Sequence, residues 1–341
     1  MSTAWSVTRR RHRLGSTEVV YLALLGLLAL SAVLVAASGG NLFSQANLVD
    51  MLTRSSLLGM VAVGQTFVIL SGSLDLSVGY VVAWSSLVAA TTMAGDPARV
   101  PLGIAAALGV AALVGLANGT VITRLRVSPF IATLGVGLII KGYLDTQYKG
   151  PAGEVPASFQ AFGYSRIGPL PVSAIVMLAL VAAGAVVLAR TRLGHHMFAV
   201  GGSQDVARLS GIRTHRTVIS AHVLSALMAG VAGVLIASRF GTGSALVYTA
   251  GYDLNSIAAV VLGGTLLAGG RGSVIGTAGG VLILGVIDTV FNILQVDPFF
   301  KDVLRGVIII VAVAVYARRQ IDPSSRRTRF PAGRTAGGEA R

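Results

Sequence analysis

Cysteine is absent from the 341 residues, so this chain holds no disulfide, no thiolate nucleophile and no zinc–sulfur site. Charge is scarce: Asp, Glu, Lys and Arg make up 12% of the residues, and only 13 are acidic. A catalytic triad, a metal centre or a phosphate loop needs clustered His and carboxylates, or a glycine-rich loop ending in Lys. None stands at workable spacing. The run GGTLLAGGRGS at 263–273 has the glycines but no Gly-Lys-Ser/Thr, and it reads as helix packing plus a tight turn. No catalytic residue and no metal ligand is assigned, and the chain cannot hydrolyse ATP by itself.

Apolar residues are what the sequence has in excess. They make up 54% of the chain, with a mean hydropathy of +0.77, which excludes an ordinary water-soluble globule. Uncharged runs at 19–49, 55–74, 76–95, 100–123, 167–189 and 217–238 each reach the roughly 20 residues a spanning helix needs. Shorter runs at 127–140, 254–270, 272–287 and 306–317 reach it once a charge near their ends is paired or set in a headgroup layer. The expected fold class is an all-α polytopic membrane protein of about ten transmembrane helices. They are placed at 19–37, 55–71, 77–94, 101–122, 129–146, 171–189, 217–238, 254–269, 272–294 and 299–317. The first is longer than the roughly 7–15 residues of a signal-peptide core, so it is read as an uncleaved span.

Basic residues number 27, a net charge of +14 that in a soluble protein points to nucleic acid. Their placement points to a bilayer instead. Ten spans with an internal N-terminus put Arg9, Arg10, Arg11, Arg13, Arg124, Arg126, Arg190, Arg192, Arg208, Arg213, Arg216, Arg271 and the seven tail arginines from Arg318 on one side. The positive-inside rule makes that side, and both termini, cytoplasmic. Residues 1–18 form a basic N-terminus, 19–317 the transmembrane domain, and 318–341 a basic tail expected to be disordered and to touch anionic lipid.

Forty-three glycines let helix backbones approach where lipid supplies no hydrophobic force. Ala111-xxx-Gly115-xxx-Gly119 and Gly276-xxx-Gly280 are the clearest close-approach faces, for packing within the chain or, less often, between copies. Asp75-Leu76-Ser77 after Gly72 and Asp253-Leu254-Asn255 after Gly251 form a weak internal echo. Each carboxylate is expected to cap a helix start. The Pro- and Gly-rich loop 147–170 faces outside.

Ionisable groups at membrane depth mark candidate function. Lys141 and Asp145 stand four residues apart and can pair as a helix anchor. Asp288 shares a helix face with Asn292, and Arg305 is a candidate countercharge. His222, alone in an apolar helix, reads as packed. Gln65, Thr66, Asn118, Asn255 and Asn292, with Asp75 and Asp288, are candidates for the path of a hydroxyl-rich solute or for helix–helix hydrogen bonds. In the inner loop 190–216 the stretch 201–212 reads as a short amphipathic helix. Ser203 caps it, Asp205 lies in its first turn, Val206, Leu209 and Ile212 share an apolar face, and Gly211 ends it. That face suits docking into a groove on a cytoplasmic partner, or packing on the bundle.

At these residues the sequence resembles the membrane permeases of bacterial ribose-type ABC importers, a group that includes permeases for xylose, arabinose and galactose. The likeness runs from about Asn41 to Val315. It is carried by VGQTFVILSGSLDLSVGY (63–80), SPFIATLG (128–135), TRLGHHMFAVGGSQDVARLSGI (191–212) and GYDLNSIAAVVLGGTLLAGGRGSVIGT (251–277). The resemblance implies an ABC importer permease fold in the bacterial inner membrane, working as a homodimer or with a related permease. Two cytoplasmic ATPase subunits that use ATP and Mg, and an external sugar-binding protein, are the implied partners; no cofactor resides on this chain. It places the ATPase-coupling helix on Gly201 to Ile212. Gly201, Gly202, Arg208, Leu209, Ser210, Gly211 and Ile212 match its pattern, while Ser203 and Asp205 depart from it. Lys141 and Arg305 fall where similar permeases are basic; Asp288 falls where some carry Asn. The competing readings are an ion-coupled secondary transporter with Asp288, Lys141 and Asp145 as its relay, and a membrane scaffold without transport.

Overall fold

The computed structural model describes residues 15–297 together with 299, 300, 303, 306, 307 and 310. Arg305, most of the expected tenth span and the tail 318–341 lie outside the described residues. The first span is α1 (Ser16–Ala37). Next, α2 (Gln45–Leu70) starts ten residues before its expected position. Ser44 Oγ accepts from the Asn47 N–H, and Asp50 and Arg54, the charges that interrupt the apolar run, pair with each other one turn apart at 2.8 Å. A charge matched by i,i+4 pairing does not stop a helix.

The chain continues through α3 (Val78–Met93), α4 (Val100–Arg124) and α5 (Pro129–Gln147), each close to its expected position. Loop 147–170 is more ordered than its composition suggests. It holds a short α6 (Ala157–Tyr164) and leads into a two-residue antiparallel pair, β1 (Arg166–Ile167) with β2 (Leu170–Pro171). After α7 (Val172–Arg190), the inner loop folds into α8 (Arg192–Gly202) and α9 (Gln204–Leu209). Then come α10 (Thr214–Phe240), a 3-10 segment at Ala245–Ala250, α11 (Tyr252–Leu262) and α12 (Val274–Ile293). The helix expected at 254–269 stops at Leu262. Gly264, Gly269 and Gly270 have φ of 85°, 87° and 72°, so 263–273 is a compact non-helical turn.

Seven helical segments among the described residues are long and apolar enough to cross a membrane. They sort by depth. Of the most apolar stretch of α2, 78% is buried, against 22% for α1 and 28% for α7. The long helices α2 and α10 form the centre, flanked by α3, α4, α11 and α12, with α1 outermost against α12. Outer helices expose Leu25, Leu113, Ile139 and Leu178, as helices solvated by lipid do.

Both close-approach faces are used inside the chain. A β-carbon at Gly115 would lie 2.6 Å from the His222 carbonyl oxygen, and one at Gly119 would lie 2.6 Å from Ile219 Cα, so that face seats α4 on α10. Gly276 and Gly280 press against the Gly263 and Ala259 carbonyls, seating α12 on α11. At one end of the bundle three backbones meet. The Gly270 N–H donates to Leu70 O at 3.0 Å. A β-carbon at Gly269 would sit 2.9 Å from Gly72 Cα and 3.0 Å from Gly201 Cα. This junction ties the end of α2, the end of α8 and the 263–273 turn together.

Gly280→Ala is expected to destabilise the fold by about 1–3 kcal/mol through overpacking. Gly26→Ala, whose added carbon meets nothing within 4 Å, leaves it unchanged. Thermal midpoints of the two detergent-solubilised variants check this.

Candidate solute path and coupling surface

Two cavities lie at opposite ends of the bundle. One is lined by residues around Ile236–Phe240 at the end of α10, the other by Thr214–Val218 at its start. Eighteen residues separate them along the helix, about 27 Å. The second adjoins Arg124, Arg126, Arg208 and Arg213, so we term that end of the bundle the basic end.

The cavity at the far end measures about 780 Å³, within the roughly 300–1,000 Å³ of small-molecule sites. It brings together Asn255, Asp288 and Asn292 from the sequence candidates. Asp288 and Asn292, one turn apart on α12, share its wall as their spacing predicts. Much of the remaining polar wall is hydroxyl: Thr53, Ser55, Thr242, Ser244 and Thr289. Its Asp50 and Arg54 neutralise each other, and the Arg239 guanidinium stacks over the Tyr164 ring at 5.0 Å. Among the described residues the buried Ser55 Oγ has no hydrogen-bond partner, which leaves it for a ligand or water. Sequence reasoning missed Ser55, because one serine beside a charged residue carries no pattern.

The other four path candidates lie in the protein interior. Thr66 Oγ1 is 2.8 Å from Thr277 Oγ1 and joins α2 to α12. Gln65, Asp75 and Asn118 belong to one fully buried network in the break between α2 and α3. Asp75 Oδ1 accepts from the Ser77 N–H at 2.9 Å and from the Ser77 hydroxyl at 2.6 Å. Asn118 donates to Ser77 Oγ at 2.8 Å. The Gln65 amide, in the orientation that satisfies both its groups, spans the Asp75 backbone with two contacts of 3.3 Å. Asp75 thus holds the Ser77 backbone just before α3, which itself has no side-chain cap on its first-turn N–H groups.

Asp75 has a second partner that its sequence position does not reveal. Its Oδ2 lies 3.4 Å from His222 Nδ1, and His222 Nε2 lies 2.9 Å from Ser73 Oγ. His222 is packed, as expected, but it also bridges α10 to the α2–α3 break. The one hint in the sequence is that each is an ionisable group in an apolar run. Asp253 corrects the capping expectation: it sits inside the first turn of α11, which has no side-chain cap, because that helix already starts at Tyr252.

Lys141 and Asp145 pair at 2.6 Å. The Tyr248 hydroxyl donates to Asp145 at 2.9 Å, and the Lys141 ammonium stands 5.4 Å from the Tyr248 ring centre. The cluster fastens α5 to the 3-10 segment. Neither residue lines the cavity that holds Asp288.

At the basic end α9 forms as read from sequence, over a shorter span. Ser203 Oγ accepts from the Val206 N–H at 3.4 Å, Asp205 lies in the first turn, and Gly211 turns the chain with φ 81°. Val206 is 61% and Leu209 89% exposed. Ile212 departs from that face: it folds back onto Val200, Ala207 and Val218, because its N–H bonds Ala207 O and closes the turn. Gly201 and Gly202 end α8 rather than open α9, and Gly201 belongs to the three-backbone junction. Arg208 and Ser210 remain exposed beside Leu209.

A bundle of membrane-length helices with a cavity at one end and an exposed amphipathic helix at the other has the architecture of a polytopic membrane permease. Residues 47–313 match the family described as branched-chain amino acid transport system / permease component, and the chain belongs to it. It is a multi-pass transport permease of the bacterial inner membrane. It is 35% identical to the ribose import permease of Escherichia coli K12, over 93% of this chain and 100% of that protein. It is 36% identical to the fructose import permease of Rhizobium meliloti over 81% and 79%, and 35% identical to the L-arabinose permease of Escherichia coli K12 over 76% and 78%. No solved structure matches it.

Asp75→Ala strands the Ser77 and His222 groups in the interior and is expected to cost about 1–3 kcal/mol of stability. Asp253→Ala, without a cap to lose, is expected to stay within about 0.5 kcal/mol. Thermal unfolding in detergent compares the two; equal losses would contradict the network's structural weight.

Proposed function

We propose that this chain is the membrane-spanning subunit of an ATP-binding cassette importer for a pentose or hexose. An external binding protein delivers the sugar, and separate cytoplasmic ATPase subunits supply the energy. The supporting observation is the capped helix α9, which holds Leu209 and Val206 in water at the arginine-rich end. An apolar pair kept so exposed on an ordered helix suits a groove in a partner. The sugar class is supported by relatives named for ribose, galactose, fructose and L-arabinose import. Hydroxyl and amide groups set among the apolar side chains of the far-end cavity, those of Ser55, Thr242, Thr289, Asn255 and Asn292, suit a neutral polyhydroxylated solute.

In this reading the basic end is cytoplasmic and the far-end cavity opens outside beneath loop 147–170, where the binding protein docks. A second permease copy completes the path. ATPase closure draws the two α9 helices together, and the bundles rock so that the cavity faces one side at a time. Each docking partner biases that equilibrium only as far as it prefers one state. The relatives favour this reading over ion coupling, and the separation of Lys141 and Asp145 from the Asp288 cavity gives a relay no support.

Leu209→Asp is expected to leave the chain inserted while weakening ATPase co-purification by roughly thirtyfold or more, the scale of a lost interface anchor. Sugar-stimulated ATP hydrolysis in proteoliposomes is expected to vanish with it. Normal uptake by this variant would overturn the docking role of α9.

A further inference from the structure

The cavity at the basic end has a chemistry that transport of a neutral sugar does not use. It measures about 910 Å³ and is walled by the end of α2, the α4–α5 link, α9 and the start of α10. Arg124, Arg126, Arg208, Arg213 and His215 line it, and no Asp or Glu does. Among the described residues none of these arginines forms an ion pair with a carboxylate. Asp205 is exposed on α9 but is not part of the lining, and Asp75 is engaged by Ser77 and His222.

Two long helices begin at the cavity, α5 after Ser128 and α10 after Arg213, and neither has a side-chain cap. The C-terminal ends of α2 and α4 also meet the cavity, so the helix dipoles offset one another and its positive field comes from the guanidiniums. The link between α4 and α5 turns through Arg126 at φ 57°, a backbone that non-glycine residues seldom adopt. Flanking it, Leu125 and Phe130 are 69% and 51% exposed, apolar side chains beside arginines at the ends of two spans. That pairing of lipid-facing and cationic groups belongs at a headgroup layer.

The geometry points to a binding site for a phosphate-bearing anion at the basic end, filled by the headgroup of an anionic phospholipid. Guanidiniums bind phosphate oxygens through paired hydrogen bonds, and a concave site with several of them and no carboxylate selects that group over a zwitterionic headgroup. Ser73, whose hydroxyl bonds His222, is part of the cavity wall, so an occupant also contacts the network that links α10 to the α2–α3 break.

The test uses the full chain in nanodiscs of phosphatidylcholine with or without phosphatidylglycerol, with bound lipid counted by native mass spectrometry. Wild type and the control Arg190→Gln, which lies outside the cavity, are expected to retain phosphatidylglycerol preferentially. The double variant Arg126→Gln/Arg213→Gln is expected to lose roughly thirtyfold of that preference. Retention by the wild type alone is expected to fall as salt rises, a readout independent of how the variant folds. In phosphatidylcholine discs, thermal protection of wild type but not the double variant by inorganic phosphate would uphold the phosphate site with a soluble source. Equal lipid retention by wild type and double variant, with no phosphate effect, would overturn it. So would loss of the ATPase subunits from the double variant without any phosphate or lipid binding, which would give the cavity to a protein carboxylate.

Discussion

The contact on which the architecture turns is backbone against backbone at the basic end, where Leu70–Gly72, Gly201–Gly202 and Gly269–Gly270 meet with no side chain between them. A membrane bundle has little hydrophobic force to hold helices together, so it relies on close approach and on hydrogen bonds shielded from water. Here both occur at one point, since the Gly270 amide bonds the last carbonyl region of α2. The segment that presents α9 is thereby fixed to the two places where the membrane helices are interrupted. Larger residues at these positions would separate the three chains.

Charge follows the same economy. The ionisable groups seen within the bundle have partners of opposite or complementary character: Asp75 with Ser77 and His222, Lys141 with Asp145 and Tyr248. Each such cluster also joins elements distant in sequence, so the polar groups that cost most in hydrocarbon are used as fasteners. The arginines at the basic end are the exception. Among the described residues, those lining the basic-end cavity form no ion pair with a carboxylate.

Much of this architecture is legible in the order of the residues. The spans through α3, α4 and α7 follow from uncharged length, those through α5 and α12 from shorter runs continued past Lys141, Asp145 and Asp288, and α9 from Ser203, Asp205 and Gly211. Hydropathy fails where conformation rather than polarity decides. It cuts α2 at Asp50 and Arg54, which pair across a turn, and it runs α11 past Leu262 into glycines whose positive φ end the helix. It passes over α8, which is too short and too polar for a span although Leu193, Met197 and Val200 fall on one face at helical spacing. Asn255, Asp288 and Asn292 stand out as cavity residues by their polarity in apolar surroundings, but the same criterion also selects Gln65, Thr66 and Asn118, which the fold spends internally. The His222–Asp75 contact spans 147 positions and leaves no local trace.

One helix runs from end to end of the bundle. Twenty-seven residues of α10 make a rod about 40 Å long. It starts just past α9, touches Asp75 part-way up, and ends where the Gly241 carbonyl accepts from the Val155 N–H and Gly243 exchanges backbone hydrogen bonds with Ala152, in the loop at the opposite face. Held at both tips and pinned near its foot, it joins the basic end to the loop at the opposite face through a single unbroken element.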